Sequence, residues 1–156
     1  EFHVNSISLI ANSVKGRYTQ GVDAAALPTA GTWVENSPAT TMDLDVYTPA
    51  SPTEITGLNT ASPATYTTLT PDDYSIVLPH TFADTELIRI VYTVTTHFTG
   101  TPVTETVTVT QKLKEVFGTS WDSGKKYMLT ITLGLNEILW DPAVEDWTPG
   151  SGDWDL

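Results

Sequence analysis

Cysteine is absent from all 156 residues. That excludes disulfide frameworks, thiol catalysis and thiolate-held metals together. Positive charge is scarce: 7 Lys and Arg stand against 19 Asp and Glu, a formal net charge of −12. Binding a phosphate backbone needs clustered cations, so nucleic acid is excluded as a partner. Docking on an anionic leaflet is excluded on the same ground. The acids are scattered rather than blocked, which argues against a disordered acidic tail and favours repulsion between copies. No run of 18 apolar residues occurs, so nothing has the length of a membrane-spanning helix. The opening EFHVNSISLI lacks the three regions of a signal peptide and enters a strand pattern almost at once. The sequence reads as a piece of a longer protein.

Chemistry-bearing motifs are also missing. There is no Gly-x-Ser-x-Gly and no glycine-rich phosphate loop. His3, His80 and His97 fall in separate elements, without the spacing of zinc ligands. The carboxylates Asp43 with Asp45, and Asp72 with Asp73, read as solvated groups. A glycosidase would need two of them converging across a sugar. Asp141, Glu145 and Asp146 supply the oxygen ligands that calcium takes, at a spacing unlike a fixed-position loop, and stay open as a calcium site. No catalytic residue and no cofactor are expected, so the chain reads as a non-enzyme.

What is abundant is Thr, with Val, Ile and Tyr, residues that suit a pleated, half-buried surface. Ten prolines punctuate short elements. Strands are expected at Val4 to Ile10, with Val4, Ser6, Ser8 and Ile10 facing opposite to Asn5, Ile7 and Leu9. Further strands fall at Gly16 to Gly21, around Trp33, and over MDLDVYT, where Met42, Leu44 and Val46 share a face. Pro49 to Pro71 reads as a long surface connection with one short strand near Tyr66. YSIVLP is a short apolar run ended by Pro79. TELIRIVYTVTTHF puts Ile88, Ile90, Tyr92 and Val94 on one face. After the turn TGTP, VTETVTVTQKL returns with Val103, Val107 and Val109 inward, which makes a hairpin with one wet face. VEDW and AAALP are the two places a small helix could sit, and the pattern favours neither. Together these segments predict a two-sheet sandwich of about seven strands.

The stretch WDSGKKYMLTITLGLNEILWDPAVEDW carries the most information. Gly124 is free to take positive φ in a turn. Tyr127, Leu129, Ile131, Leu133 and Leu135 form one face, opposite Met128, Thr130, Thr132 and Asn136. A turn or bulge is expected at Gly134 to Glu137. Ile138, Leu139 and Trp140 then make a last short strand that Pro142 stops from continuing as a central one. Its tryptophans are expected to seal the ends of the core. Trp154, in the tail TPGSGDWDL, is expected to fold back on the domain rather than reach another chain. Trp33, Tyr47 and Tyr66 are the aromatics a carbohydrate-binding module would gather in one shallow groove.

This closing stretch resembles the final motif of the fimbrillin-like proteins of Bacteroidales, the subunits of their surface fimbriae. That motif is roughly Trp-x-x-Gly-Lys-x-Tyr, an alternating strand and a final Val-x-x-Trp. Trp121, Gly124, Lys125 and Tyr127 match it first, followed by Ile131, Leu133, Ile138, Trp140, Val144 and Trp147. IVLPHTFADTELIRIVYTV is similar too, through a Leu-Pro step before a long strand. The similarity covers about residues 74 to 147 and the first half only loosely. It implies a transthyretin-like Greek-key β-sandwich, exported, usually as a lipoprotein, and displayed on the outer membrane or in a fimbria. It implies partners too: other fimbrial subunits joined by strand insertion, and host or bacterial surface proteins or glycans as adhesion ligands. Family members usually have two sandwich domains, so residues 1 to 156 correspond to one, the C-terminal domain. The nine residues after Trp147, with Pro149, Gly150 and Gly152, make a poor donor strand, which suits a tip, accessory or surface role.

Overall fold

The computed structural model describes residues 1–11, 16–35, 42–57, 60–70, 75–97, 99–134 and 137–147. These build an all-β architecture of several antiparallel sheets, consistent with a sandwich. In chain order the elements are β1 Phe2–Ala11, β2 Gly16–Val22, β3 Pro28–Glu35, β4 Met42–Tyr47, β5 Thr53–Glu54 and β6 His80–Thr81. There follow β7 Leu87–Thr96, β8 Val103–Lys112, the helix α1 Leu113–Phe117, β9 Ser120–Trp121, β10 Lys125–Leu133 and β11 Ile138–Asp146. Three of these strands are only two residues long. The others make up roughly the number the sequence predicts.

The main sheet runs β4-β1-β7-β8, and β5 also pairs with β1. Its core face follows the alternation of β7: Ile88, Ile90 and Tyr92 are buried, and Val94, Val107 and Val109 pack against them. β8 returns along β7 in one unbroken register from Val103 to Lys112. The second layer is the β10–β11 hairpin. Its inner residues Tyr127, Leu129, Ile131, Leu133, Ile138 and Trp140 lie against the same core. Burying such a face is what holds two otherwise marginal sheets together.

β1 departs from the expected alternation. Val4 is buried together with Ile7 and Leu9, although the period-two reading sets them on opposite faces. The cause is a bulge: Val4 pairs with Tyr92 and Ser6 with Val91, which leaves Asn5 as the extra residue. One inserted residue switches the inward face from even to odd positions. Asn5 Oδ1 is withdrawn from solvent with no hydrogen-bond partner among the described residues.

Four further expectations are corrected. β11 is nine residues long and continues through Pro142, which stands opposite Leu129. β11 has β10 as its one ladder neighbour among the described residues, so a missing N–H is tolerated there. The helix is α1, not VEDW or AAALP: Val144 to Asp146 lie in β11, and AAALP forms the β2–β3 turn and the start of β3. In α1, Leu113 and Val116 are buried at helical spacing, and Gly118 closes it at φ 89°. The short strand of the long connection is Thr53–Glu54, where β1 offers a partner, and Tyr66 lies outside any strand. The described part of YSIVLP, residues 75–79, forms no strand.

Candidate functional site

The closing motif builds a cluster of rings at one end of the core. Trp121 is 6% exposed. Its ring meets Phe82 edge-on with centroids 5.0 Å apart, and lies 4.5 Å from both Phe117 and Tyr127. Such edge and tilted contacts suit the ring quadrupoles. The Tyr127 hydroxyl accepts the Asp122 N–H at 2.8 Å. Gly124 takes φ 71° at the turn, as the sequence requires. Its carbonyl accepts the Trp147 N–H at 2.8 Å, closing the hairpin. Trp140 is half-buried against the core. Trp147 is 51% exposed and Val144 50%, so the expectation that the motif's tryptophans all seal the core holds for Trp121 and fails for Trp147. The reason is position: Trp147 follows the last ladder pair, where the inner layer has ended.

The acidic step is a ladder of ion pairs. Lys125 and Asp146 are cross-strand partners and donate and accept a side-chain hydrogen bond. Lys126 faces Glu145 at 4.0 Å. The hydrogen bond from Lys125 holds the Asp146 carboxyl below its ordinary range, and the same bond raises the lysine. Glu145 and Asp146 are neighbours in a strand and so face opposite ways. No group of three His, Asp or Glu among the described residues is placed to hold a metal. The calcium reading of Asp141, Glu145 and Asp146 is therefore corrected: the strand spreads them and lysines occupy two.

Other predicted residues are dispersed. Asp43 is exposed and pairs with Arg89 across the sheet. His97 is exposed and lies 3.2 Å from Glu1, whose carboxyl the hydrogen bond to His97 holds below its ordinary range. Tyr47 packs on the core and its hydroxyl bonds to Thr53, whereas Tyr66 is 67% exposed in a connection. The side chain of Trp33, in β3, and all of Trp154 lie outside the described residues. A niche beside Leu9, Leu44, Val77, His80 and Trp121 measures about 40 Å³, far below the roughly 300–1,000 Å³ of a small-molecule site.

Sequence reasoning missed one buried pair. His80 and Glu86 join through Nε2 and Oε1 at 2.8 Å, with side chains 7% and 1% exposed. They stand six positions apart in the chain, at the two ends of a bend after β6, and no spacing rule announces such a contact. Both ring nitrogens of His80 are occupied, since Nδ1 bonds to the Leu78 carbonyl at 2.8 Å. A histidine so engaged has no nitrogen left for a substrate or a metal.

A surface equipped to meet another chain is the outer edge of β8. Among the described residues β8 has β7 as its one ladder neighbour. It is ten residues long, without proline, glycine or bulge. Its outward-facing Thr104, Thr106, Thr108 and Thr110 are exposed. The opposite end of that sheet, β4, is six residues long and carries Asp43 and Asp45, and β11 carries Pro142 and three acids. Those devices blunt an edge; β8 carries only Glu105 and Lys112, one charge of each sign near its ends. No helix among the described residues is long and apolar enough to cross a membrane. No family model, curated protein or solved structure matches the chain.

Proposed function

We propose that this chain is a non-catalytic subunit of a bacterial surface fimbria, or an adhesin-like structural domain, that joins its partner by β-strand addition. The single observation that carries this reading is the unblunted ten-residue edge of β8. An incoming strand there gains a row of backbone hydrogen bonds, and the alternating side chains set its register. The resemblance of Trp121 to Trp147 to fimbrillin-like subunits supports the same reading, and with it export to the outer membrane surface.

The experiment is association of the purified chain, followed by sedimentation velocity over rising concentration. A synthetic peptide of Val103 to Lys112 serves as competitor. A double variant, Thr106→Lys with Thr108→Lys, puts lysines on the exposed face of the edge, where they oppose pairing. The expected result is association of the parent chain, competition by the peptide, and loss of both in the variant at unchanged melting temperature. Association that persists unchanged in the variant would sink the β8 assignment.

A further inference from the structure

The His80–Glu86 pair has an exact proton requirement. Leu78 offers a carbonyl, which can only accept, so Nδ1 must carry a hydrogen. A ring lone pair facing a carboxylate makes no hydrogen bond, so the 2.8 Å contact between Nε2 and Oε1 needs one further proton. Glu86 Oε2 accepts the Ala83 N–H at 2.7 Å, so each carboxylate oxygen has its donor. The surroundings are apolar: Phe82 lies edge-on to the imidazole at 5.5 Å, and Trp121 is the ladder partner of His80. Leu113, fully buried in α1, donates its N–H to the Glu86 carbonyl at 3.0 Å. Among the described residues, the charged groups on the adjoining elements stand at the surface, most with partners of their own. They are Asp84 with Lys114, Glu115 with Gln111, and Asp122 with Ser120; Lys112 is half-exposed at the end of β8.

We propose that His80 and Glu86 form a one-proton clamp that makes the fold most stable in mildly acidic surroundings. The folded pair holds one proton between its two side chains. In the unfolded chain the histidine releases its proton near pH ~6.5 and the glutamate takes one up near pH ~4.3. Above about pH 6.5 the unfolded pair holds none, so folding takes up a proton. The folding constant then falls as pH rises, by up to about tenfold per pH unit. Below about pH 4.3 the unfolded pair holds two, folding releases one, and stability falls as pH falls. Between those limits both states hold one proton and the pair contributes no slope.

The variant Glu86→Gln removes the upper limb and puts a rise with pH below it. Its amide oxygen accepts from Ala83 and its NH₂ donates to Nε2, which requires a neutral imidazole. Folding then excludes the proton that the unfolded histidine binds, and stability rises through about pH 6.5. The test is urea unfolding of the full chain and of E86Q from about pH 5.5 to about pH 8. His3, His97 and the surface acids are common to both, so the difference between the profiles isolates the pair. The expected result is a parent that is level up to about pH 6.5 and falls above it, against a variant that rises up to about pH 6.5 and is level above it; parallel profiles overturn the clamp. Should E86Q not fold, the parent chain decides by nitrogen-15 NMR of its histidine rings. His80 signals constant over that range support the clamp, and signals that titrate through about pH 6.5 overturn it.

Discussion

Trp121 and Trp147 lie at the two ends of the closing motif and meet opposite environments, 6% and 51% exposed. Replacing Trp121 by Ala removes the ring that Phe82, Phe117 and Tyr127 pack around, and is expected to cost about 3–5 kcal/mol. Trp147→Ala keeps the backbone bond to Gly124 and is expected to cost about 1 kcal/mol or less. Urea denaturation of both variants checks the contrast; equal losses would mean that Trp147 is structural. Gly124→Ala meets open space but keeps φ 71°, so its expected cost is the conformational one, about 1 kcal/mol. At this scale the sequence was legible where a residue's need is local. Gly124 announces its turn by the neighbours it keeps, Asp122 and Ser123 before it and two lysines after. His80 and Glu86 announce nothing, because their contact is made by a turn and by the layer above it.

The β10–β11 hairpin shows what charge adds at the level of an element. Its end is fastened by Lys125 with Asp146 and by Lys126 with Glu145, four exposed or half-exposed groups. The Asp146 carboxyl sits below its ordinary value because Lys125 donates to it. A group lowered in this way contributes stability above its unfolded value, about 3.9, and loses that contribution as pH falls through the lowered one. Asp146→Asn is therefore expected to lower stability slightly above about pH 4, where the contribution is present, and to converge with the parent at the acid end, which flattens that part of the acid limb. Comparison of the two proteins between about pH 2 and about pH 5 measures it; identical limbs would show the pair to be without effect. Alternation made β7 and β8 readable, since one face is core and the other water. It misled in β1, where a bulge at Asn5 changes the face mid-strand. It stopped short in β11, where proline stands on an edge and the strand carries on.

For the molecule as a whole, the formal charge of −12 opposes any meeting of two copies. The β8 edge is locally neutral, with Glu105 balanced by Lys112. Pairing through backbone groups at such an edge is limited by the repulsion around it, which salt screens over about 10 Å at 0.1 M. Association of the chain is thus expected to strengthen as salt rises from about 0.05 M to about 0.5 M. Sedimentation at the two salt levels reads this out, and weakening with salt would point to an ionic contact elsewhere. The all-β class was legible from composition, because Thr, Val and Ile in short proline-bounded runs leave little room for helices. The order β4-β1-β7-β8 was not. Pairing of distant strands is decided by which faces can be buried together, and a periodic run shows only that a face exists.

One consequence of the β1 bulge concerns the length of the chain. Striking out Asn5 leaves Val-Ser-Ile-Ser-Leu-Ile-Ala, an unbroken alternation that puts Val4, Ile7, Leu9 and Ala11 on one side, the four residues of β1 that the core holds. β1 is in effect a plain strand with one residue inserted, and a polypeptide of 155 residues lacking Asn5 contains everything the core asks of it.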